Sequence, residues 1–299
     1  MVRNKRRKII LSCIFVTIFA SVGAAEQTEE FKKLYEYYKT NYNFYAIPDT
    51  VYTIEGELKL PEGYTYKNSK EIDSYTDWVS NFPLWHKYKH IGMWKGTKQY
   101  DATEISRAIH LPWSGRSFAE YSIPLRMLGE YLFQIGQKDK FVVEPKGGET
   151  LSYKKWLEAK PVFDFRGNVI WKDDLPKSES DDEYYKYMLF TLQNSSYGGL
   201  MKNCNQVESS QVQAGDMFIA SDDTGNKGAV YVILRLISNQ NDSTLFLVGT
   251  GCEEACDFHI PLLTAKRDEP WVSQVTLEAI NSEFKKSGFY RFKIFDKEQ

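Results

Sequence analysis

Most of the residues that catalytic and metal sites are built from are scarce in this chain. Its 299 residues include four cysteines and four histidines, and these are scattered. His86, His90 and His110 lie far upstream of Cys204, Cys252 and Cys256 and without cysteines beside them, so no second ligand pair stands ready to complete a structural zinc site. No glycine-rich loop is placed to cradle phosphate, and no Gly-x-Ser-x-Gly turn presents a serine nucleophile. Charge of one sign is also lacking. The 38 basic and 40 acidic residues leave a formal charge of −2, and the two signs are interspersed. Without a basic stripe, nucleic-acid binding is not expected. Beyond the first 25 residues, no apolar run approaches the ~20 residues needed to cross a bilayer as a helix.

The N-terminus is distinctive. Met1 to Lys8 carries five basic side chains and no acid, Ile9 to Val22 is almost wholly apolar, and Gly23-Ala24-Ala25 closes the run with small residues. A basic start, a short apolar stretch and a small-residue exit define a secretory signal. Residues 1–25 are therefore expected to be a cleaved signal peptide, and residues 26–299 a protein of the periplasm or the extracellular space. Ile10-Leu11-Ser12-Cys13 resembles a lipobox, which makes lipidation at Cys13 an alternative, as is an uncleaved anchor. After cleavage three cysteines remain, enough for one disulfide and a leftover thiol. Spacing does not choose between the Cys252–Cys256 pair and a pair with Cys204.

With 20 Tyr, 18 Phe and 7 Trp, the chain has ample material for a core. Helical spacing is expected over residues 26–50, around 74–79, from Ser122 to Ile135, and from about Glu183 to Gln193. Ser122 is placed to cap its helix, with Pro124 in the first turn. Val51 to Ile54, His90 to Lys95 and Phe141 to Val143 read as strands, and Trp156 to Asp182 as loop. Gly198-Gly199 reads as a turn or helix end. Four strand-like runs then follow: 216–220, 229–237, 244–250 and 257–262. A helix over about 276–286 and a last strand at 290–295 complete the pattern. Helices early and sheet late predict an α+β fold, a helical and mixed N-terminal region followed by a C-terminal antiparallel sheet packed on helices. The expected organisation is one domain, with residues 26–50 an N-terminal helix and 51–299 the core.

The densest polar cluster is Cys252-Glu253-Glu254-Ala255-Cys256-Asp257-Phe258-His259. Its spacing is tolerable for zinc. However, Asp257 and His259 alternate with Phe258 and Ile260 as on a half-exposed strand, and no metal or cofactor is expected. A Cys–His nucleophilic pair could be Cys204 or Cys256 with His259 if folding brought them together. Trp85, Trp94, Trp113, Trp171 and Trp271 are candidates for an aromatic platform, although tryptophan more often serves a core. Arg126 and Glu130 are spaced as an i,i+4 ion pair.

Five stretches, in order, resemble the bacterial family DUF4846. They are 74–84 (Ser-Tyr-Thr-Asp-Trp-Val-Ser-Asn-Phe-Pro-Leu), 126–132 (Arg-Met-Leu-Gly-Glu-Tyr-Leu), Gly215 to Ile219 with Gly228 to Val232, Ala255 to Ile260, and Pro270-Trp271. The family's layout is similar to NlpC/P60-type and CHAP-type cysteine peptidases and amidases. The resemblance therefore implies a papain-like or NlpC-like core in which a cysteine opens a helix and a strand carries the histidine. It places that cysteine six residues before Arg126 and that histidine at the start of the Ala229-Val230 strand. This chain has Glu120 and Gly228 at those positions. The function expected on that basis is a non-catalytic scaffold binding peptidoglycan or another envelope component, whether peptide, glycan or protein. An active cysteine amidase with a relocated Cys–His pair and a structural assembly partner are the alternatives.

Overall fold

The computed structural model describes residues 52–67, 74–93, 104–111 and 119–296. The expected signal peptide, the Cys13 lipobox, the helix over 26–50, Trp94 and Trp113 lie outside these residues. In chain order the helices are α1 (Ile54–Glu57), α2 (Tyr75–Ser80), α3 (Ser122–Gln134), α4 (Tyr153–Glu158), α5 (Asp181–Gln193), α6 (Tyr197–Lys202) and α7 (Gln274–Ile280). The strands are β1 (Thr65–Tyr66), β2 (Ile105–Ala108), β3 (Val142–Val143), β4 (Leu151–Ser152), β5 (Ala159–Phe163), β6 (Val169–Asp173) and β7 (Cys204–Val207). They continue with β8 (Met217–Ser221), β9 (Gly228–Ser238), β10 (Thr244–Gly249), β11 (His259–Pro261), β12 (Trp271–Val272) and β13 (Lys286–Phe292). The class is α+β, as expected.

The centre is a seven-stranded antiparallel sheet in the order β12-β10-β9-β8-β13-β7, with β1 paired to the far end of β9. All five residues of β8 are buried, so this central strand reads as a continuous apolar run because both its faces are covered. Gly215 leads into β8 at φ 92°. A Cβ there would stand 2.8 Å from the Tyr75 ring of α2, so glycine serves both the backbone angle and the close approach. The next residue, Asp216, is buried and accepts from two of the guanidinium nitrogens of Arg291, Nε and Nη2, each at 2.8 Å. That fork-to-fork contact ties the start of β8 to β13.

A second apolar centre lies where α3 crosses α5. Phe141, Tyr153, Tyr184 and Tyr187 are fully buried there. The Tyr184 hydroxyl donates to the Gly129 carbonyl and the Tyr187 hydroxyl to the Phe141 carbonyl, each at 2.7 Å. A buried phenol needs such a partner to avoid an unmet desolvation cost. Gly129 sits at the crossing, where a Cβ would meet Met188 at 2.8 Å and Phe141 at 3.1 Å. Ser180 caps α5 through the Glu183 N–H, and Asp181, Asp182 and Glu183 follow in its first turn, where acids complement the helix dipole.

The structure departs from the sequence expectations at several points, each with a local cause. Of the strand expected over Val51 to Ile54, the described residues, 52–54, do not form one. Thr53 caps the short helix α1, and only Tyr52 bridges to Leu84. Ser122 does not cap α3; Tyr121 holds the cap position without a side-chain bond, and the Ser122 hydroxyl points to the Leu192 carbonyl. The stretch 156–182 holds the hairpin β5–β6, whose turn is closed by Asp164 accepting from the N–H groups of Arg166 and Asn168. Gly198-Gly199 lies inside α6, because Ser196 caps that helix, and a Cβ at Gly199 would press on the Glu144 carbonyl oxygen at 3.3 Å. The Asp257 to Leu262 run becomes β11, but it pairs with β2 in a separate two-stranded sheet. Arg126 and Glu130 do pair at 2.8 Å, both fully buried rather than at the surface.

Candidate functional site

The two positions that the resemblance singles out are brought together. Glu120 lies just before α3. Its carbonyl accepts the Ile123 N–H, and its own N–H donates to the Cys252 carbonyl at 3.1 Å. Because α3 starts at Ser122, residue 120 precedes the first turn rather than sitting in it. Gly228 opens β9, paired with Ser221 of β8. A residue from α6, Tyr197, joins them. Its hydroxyl donates to Glu120 Oε1 at 2.6 Å, and its ring lies 3.0 Å from where a Cβ on Gly228 would stand. That Cβ would also collide with the Ala220 carbonyl. A side chain at 228 therefore has no room, and the aromatic ring occupies the space a histidine would need. The Tyr121 ring meets Tyr197 edge-on at 5.0 Å.

The electrostatics of this site favour a neutral acid. Burial pushes the Glu120 carboxyl up to about 7, the nearby Glu253 carboxylate adds to the rise, and the Tyr197 hydroxyl and Val230 N–H offset part of it. Burial and the Glu120 carboxylate push the Tyr197 phenol well above its ordinary value. Below about pH 7 the Glu120 carboxyl therefore holds its proton beside the phenol, presenting hydrogen-bond donors and acceptors in place of a charge. Gly251 also packs closely on this residue, since a Cβ there would stand 3.1 Å from Glu120 Cα and 3.2 Å from Ile123.

The cysteine candidates separate. Cys252 and Cys256 form a disulfide across a turn of sequence separation 4, and Cys204 is the free, buried cysteine among the described residues. Cys204 lies on β7, at one edge of the sheet, four strand steps from β10. His259 is bonded to Thr250 just beyond β10. At ~4.8 Å per strand step, the structure does not bring Cys204 and His259 together. Burial also raises the Cys204 thiol far above its ordinary value, the reverse of what a nucleophile needs.

Cys256 and His259 do meet, with Sγ 3.8 Å from Nδ1. That sulfur is bonded to Cys252, however, so it is no thiolate in this state. His259 is buried, its Nδ1 lies 2.9 Å from the Asp257 carbonyl, and burial lowers its pKa to about 4. An imidazole facing a carbonyl at that distance carries its proton on that nitrogen.

Of the tryptophan candidates, Trp271 is buried with its N–H on the Lys59 carbonyl, and Trp85 lies against His110. Trp171 is covered by Lys155. Tyr197 was not legible as a site residue, since it meets Glu120 from 77 positions away and only a serine cap precedes it. No curated protein matches the chain, and no solved structure does. The family described as a domain of unknown function (4846) matches residues 54–293, and the chain belongs to that family, DUF4846.

Proposed function

We propose that this chain is an exported, non-catalytic scaffold of NlpC/P60-like layout that binds a component of the cell envelope around Glu120. One observation carries the reading. At the place where a thiol and an imidazole would meet, Glu120 is hydrogen-bonded to Tyr197, and the ring of Tyr197 fills the volume beside Gly228. A carboxyl cannot replace a thiolate nucleophile in amide exchange, and glycine offers no base. A half-buried neutral acid can both donate to a carbonyl and accept from an N–H. Peptide amides and the acetamido groups of cell-wall glycans present that pair.

Incubating the purified protein with peptidoglycan fragments, and reading both retention and cleavage, tests this. The expected result is retention without cleavage, weaker in Glu120→Ala and weaker at pH 8 than at pH 6 as the acid ionises. Cleavage of an amide bond by the untreated protein ends the reading. A second reading, a cysteine amidase using Cys256 and His259, draws support from their 3.8 Å approach. Cleavage that appears only after reduction, and disappears in Cys256→Ser, would select it. An assembly partner would neither cleave nor retain the fragments.

A further inference from the structure

We propose that Cys252, Cys256 and His259 form a thiol-dependent site for a soft divalent ion such as zinc. The site is closed while the two sulfurs are bonded to each other and opens when a dithiol reductant cleaves that bond. It does not rest on the envelope-binding reading. One donor atom from each residue lies within 4.8 Å of the other two, and Cys256 Sγ is 3.8 Å from His259 Nδ1. Zinc bonds of ~2.3 Å to sulfur and ~2.0 Å to nitrogen, at a tetrahedral angle, hold such a pair about 3.5 Å apart. For that pair the required adjustment is a few tenths of an ångström, and the two sulfurs, once released from their bond, must draw apart to about 3.8 Å across the ion.

The frame around these donors does not depend on the disulfide. Thr250 and His259 exchange two backbone bonds, of 2.8 and 3.0 Å. The Asp257 N–H donates to the Gly92 carbonyl, and the Gly92 N–H to Asp257 Oδ2 at 2.8 Å. The Cys252 carbonyl accepts from both Glu120 and Ala255. Ala255, directly before Cys256, sits at φ 64°, a left-handed angle that non-glycine residues adopt at a cost and retain where the surroundings fix them. These contacts hold the sulfur-bearing turn in place when the crosslink is opened. The crosslink itself closes so short a loop that its loss costs about 2 kcal/mol on the chain-entropy estimate.

The chemistry balances. The dithiol gives two electrons and two protons, becoming a disulfide itself, and leaves Cys252 and Cys256 as thiols. The incoming ion displaces those two protons and binds the thiolates. The imidazole proton moves from Nδ1, where it now faces the Asp257 carbonyl, to Nε2, which frees the Nδ1 lone pair. Solvent or the exposed Glu253 in the same turn completes the coordination.

The test uses the whole protein, reduced with dithiothreitol, desalted without oxygen and titrated with cobalt(II). The reduced protein is expected to develop thiolate-to-cobalt charge-transfer absorption that saturates at a single ion per chain, and the oxidised protein none. Cys252→Ser and Cys256→Ser should each abolish or sharply reduce the band. His259→Gln should keep it but bind at least about tenfold more weakly. Cys204→Ser, which alters a buried thiol elsewhere, should titrate like the unaltered protein. Absence of the band after reduction, loss of the fold on reduction, or undiminished binding by Cys256→Ser each overturns the proposal.

Discussion

Gly228 and Glu120 show how one position's chemistry is set by the neighbours that fill its space. Gly228 has the Tyr197 ring and the Ala220 carbonyl where its Cβ would be, and the carbonyl cannot yield without moving β8. Gly228→Ala should therefore destabilise the protein by about 1–3 kcal/mol, read as a lower urea midpoint with an unchanged slope. Glu120 lies in surroundings that penalise an anion, through burial and the Glu253 charge. A thiol placed there should suffer the same penalty. Glu120→Cys is accordingly expected to alkylate with iodoacetamide at pH 7 more slowly than a cysteine in an unstructured peptide. A faster rate would mean that the site still activates sulfur, and the non-catalytic reading would lose its support.

Among the secondary-structure elements, the Gly215-Asp216 motif has a packing role. Gly215 lets the chain pass over Tyr75, and Asp216, buried at the start of β8, is held by Arg291 of β13 and by the Gln213 N–H. Arg291→Met leaves that carboxylate buried without its counter-charge and should cost about 3 kcal/mol. Adding Asp216→Asn should recover part of the loss, measured as the coupling in a double-mutant cycle. These elements also show what could be read in advance. The helices α2, α3 and α5 and the strands β8, β9 and β10 were legible, because apolar periodicity and caps are local signals. The hairpin β5–β6 was not. Its strands are only part-buried, which blurs the alternation, and its charged flanks read as loop. β7 was hidden for a related reason, being a polar edge strand identified only by its partner β13. The resemblance pointed to positions 120 and 228, but Tyr197, which packs against both, was not legible, since those contacts are made by tertiary folding alone. The pairing of Cys252 with Cys256 was likewise open until the turn through Ala255 brought the two together.

For the molecule as a whole, four groups whose charged forms burial penalises shape the response to pH, Glu130 among them despite its ion pair with Arg126. Burial raises Glu120 and Glu130 to about 7 from an ordinary 4.5, and lowers His110 and His259 to about 4 from an ordinary 6.5. An acid held up loses its contribution to stability as pH rises from 4.5 towards 7; a base held down loses its contribution as pH falls from 6.5 towards 4. Between pH 4.5 and 6.5, unfolding therefore releases protons from two carboxyls and takes up as many on two imidazoles. The two effects cancel, so these groups leave stability nearly level across that window. Carboxylates held below their ordinary range, such as Asp164, Asp222 and Asp268, act at more acid pH. Glu120→Gln removes one releasing group, so unfolding then takes up one net proton, and stability should rise with pH by up to about 1.4 kcal/mol per pH unit. Urea unfolding at pH 4.5, 5.5 and 6.5 reads this directly. A variant whose profile stays parallel to that of the unaltered protein would mean that Glu120 is already ionised in the fold. The neutral hydrogen-bonding pair with Tyr197, on which the binding reading depends, would then not exist.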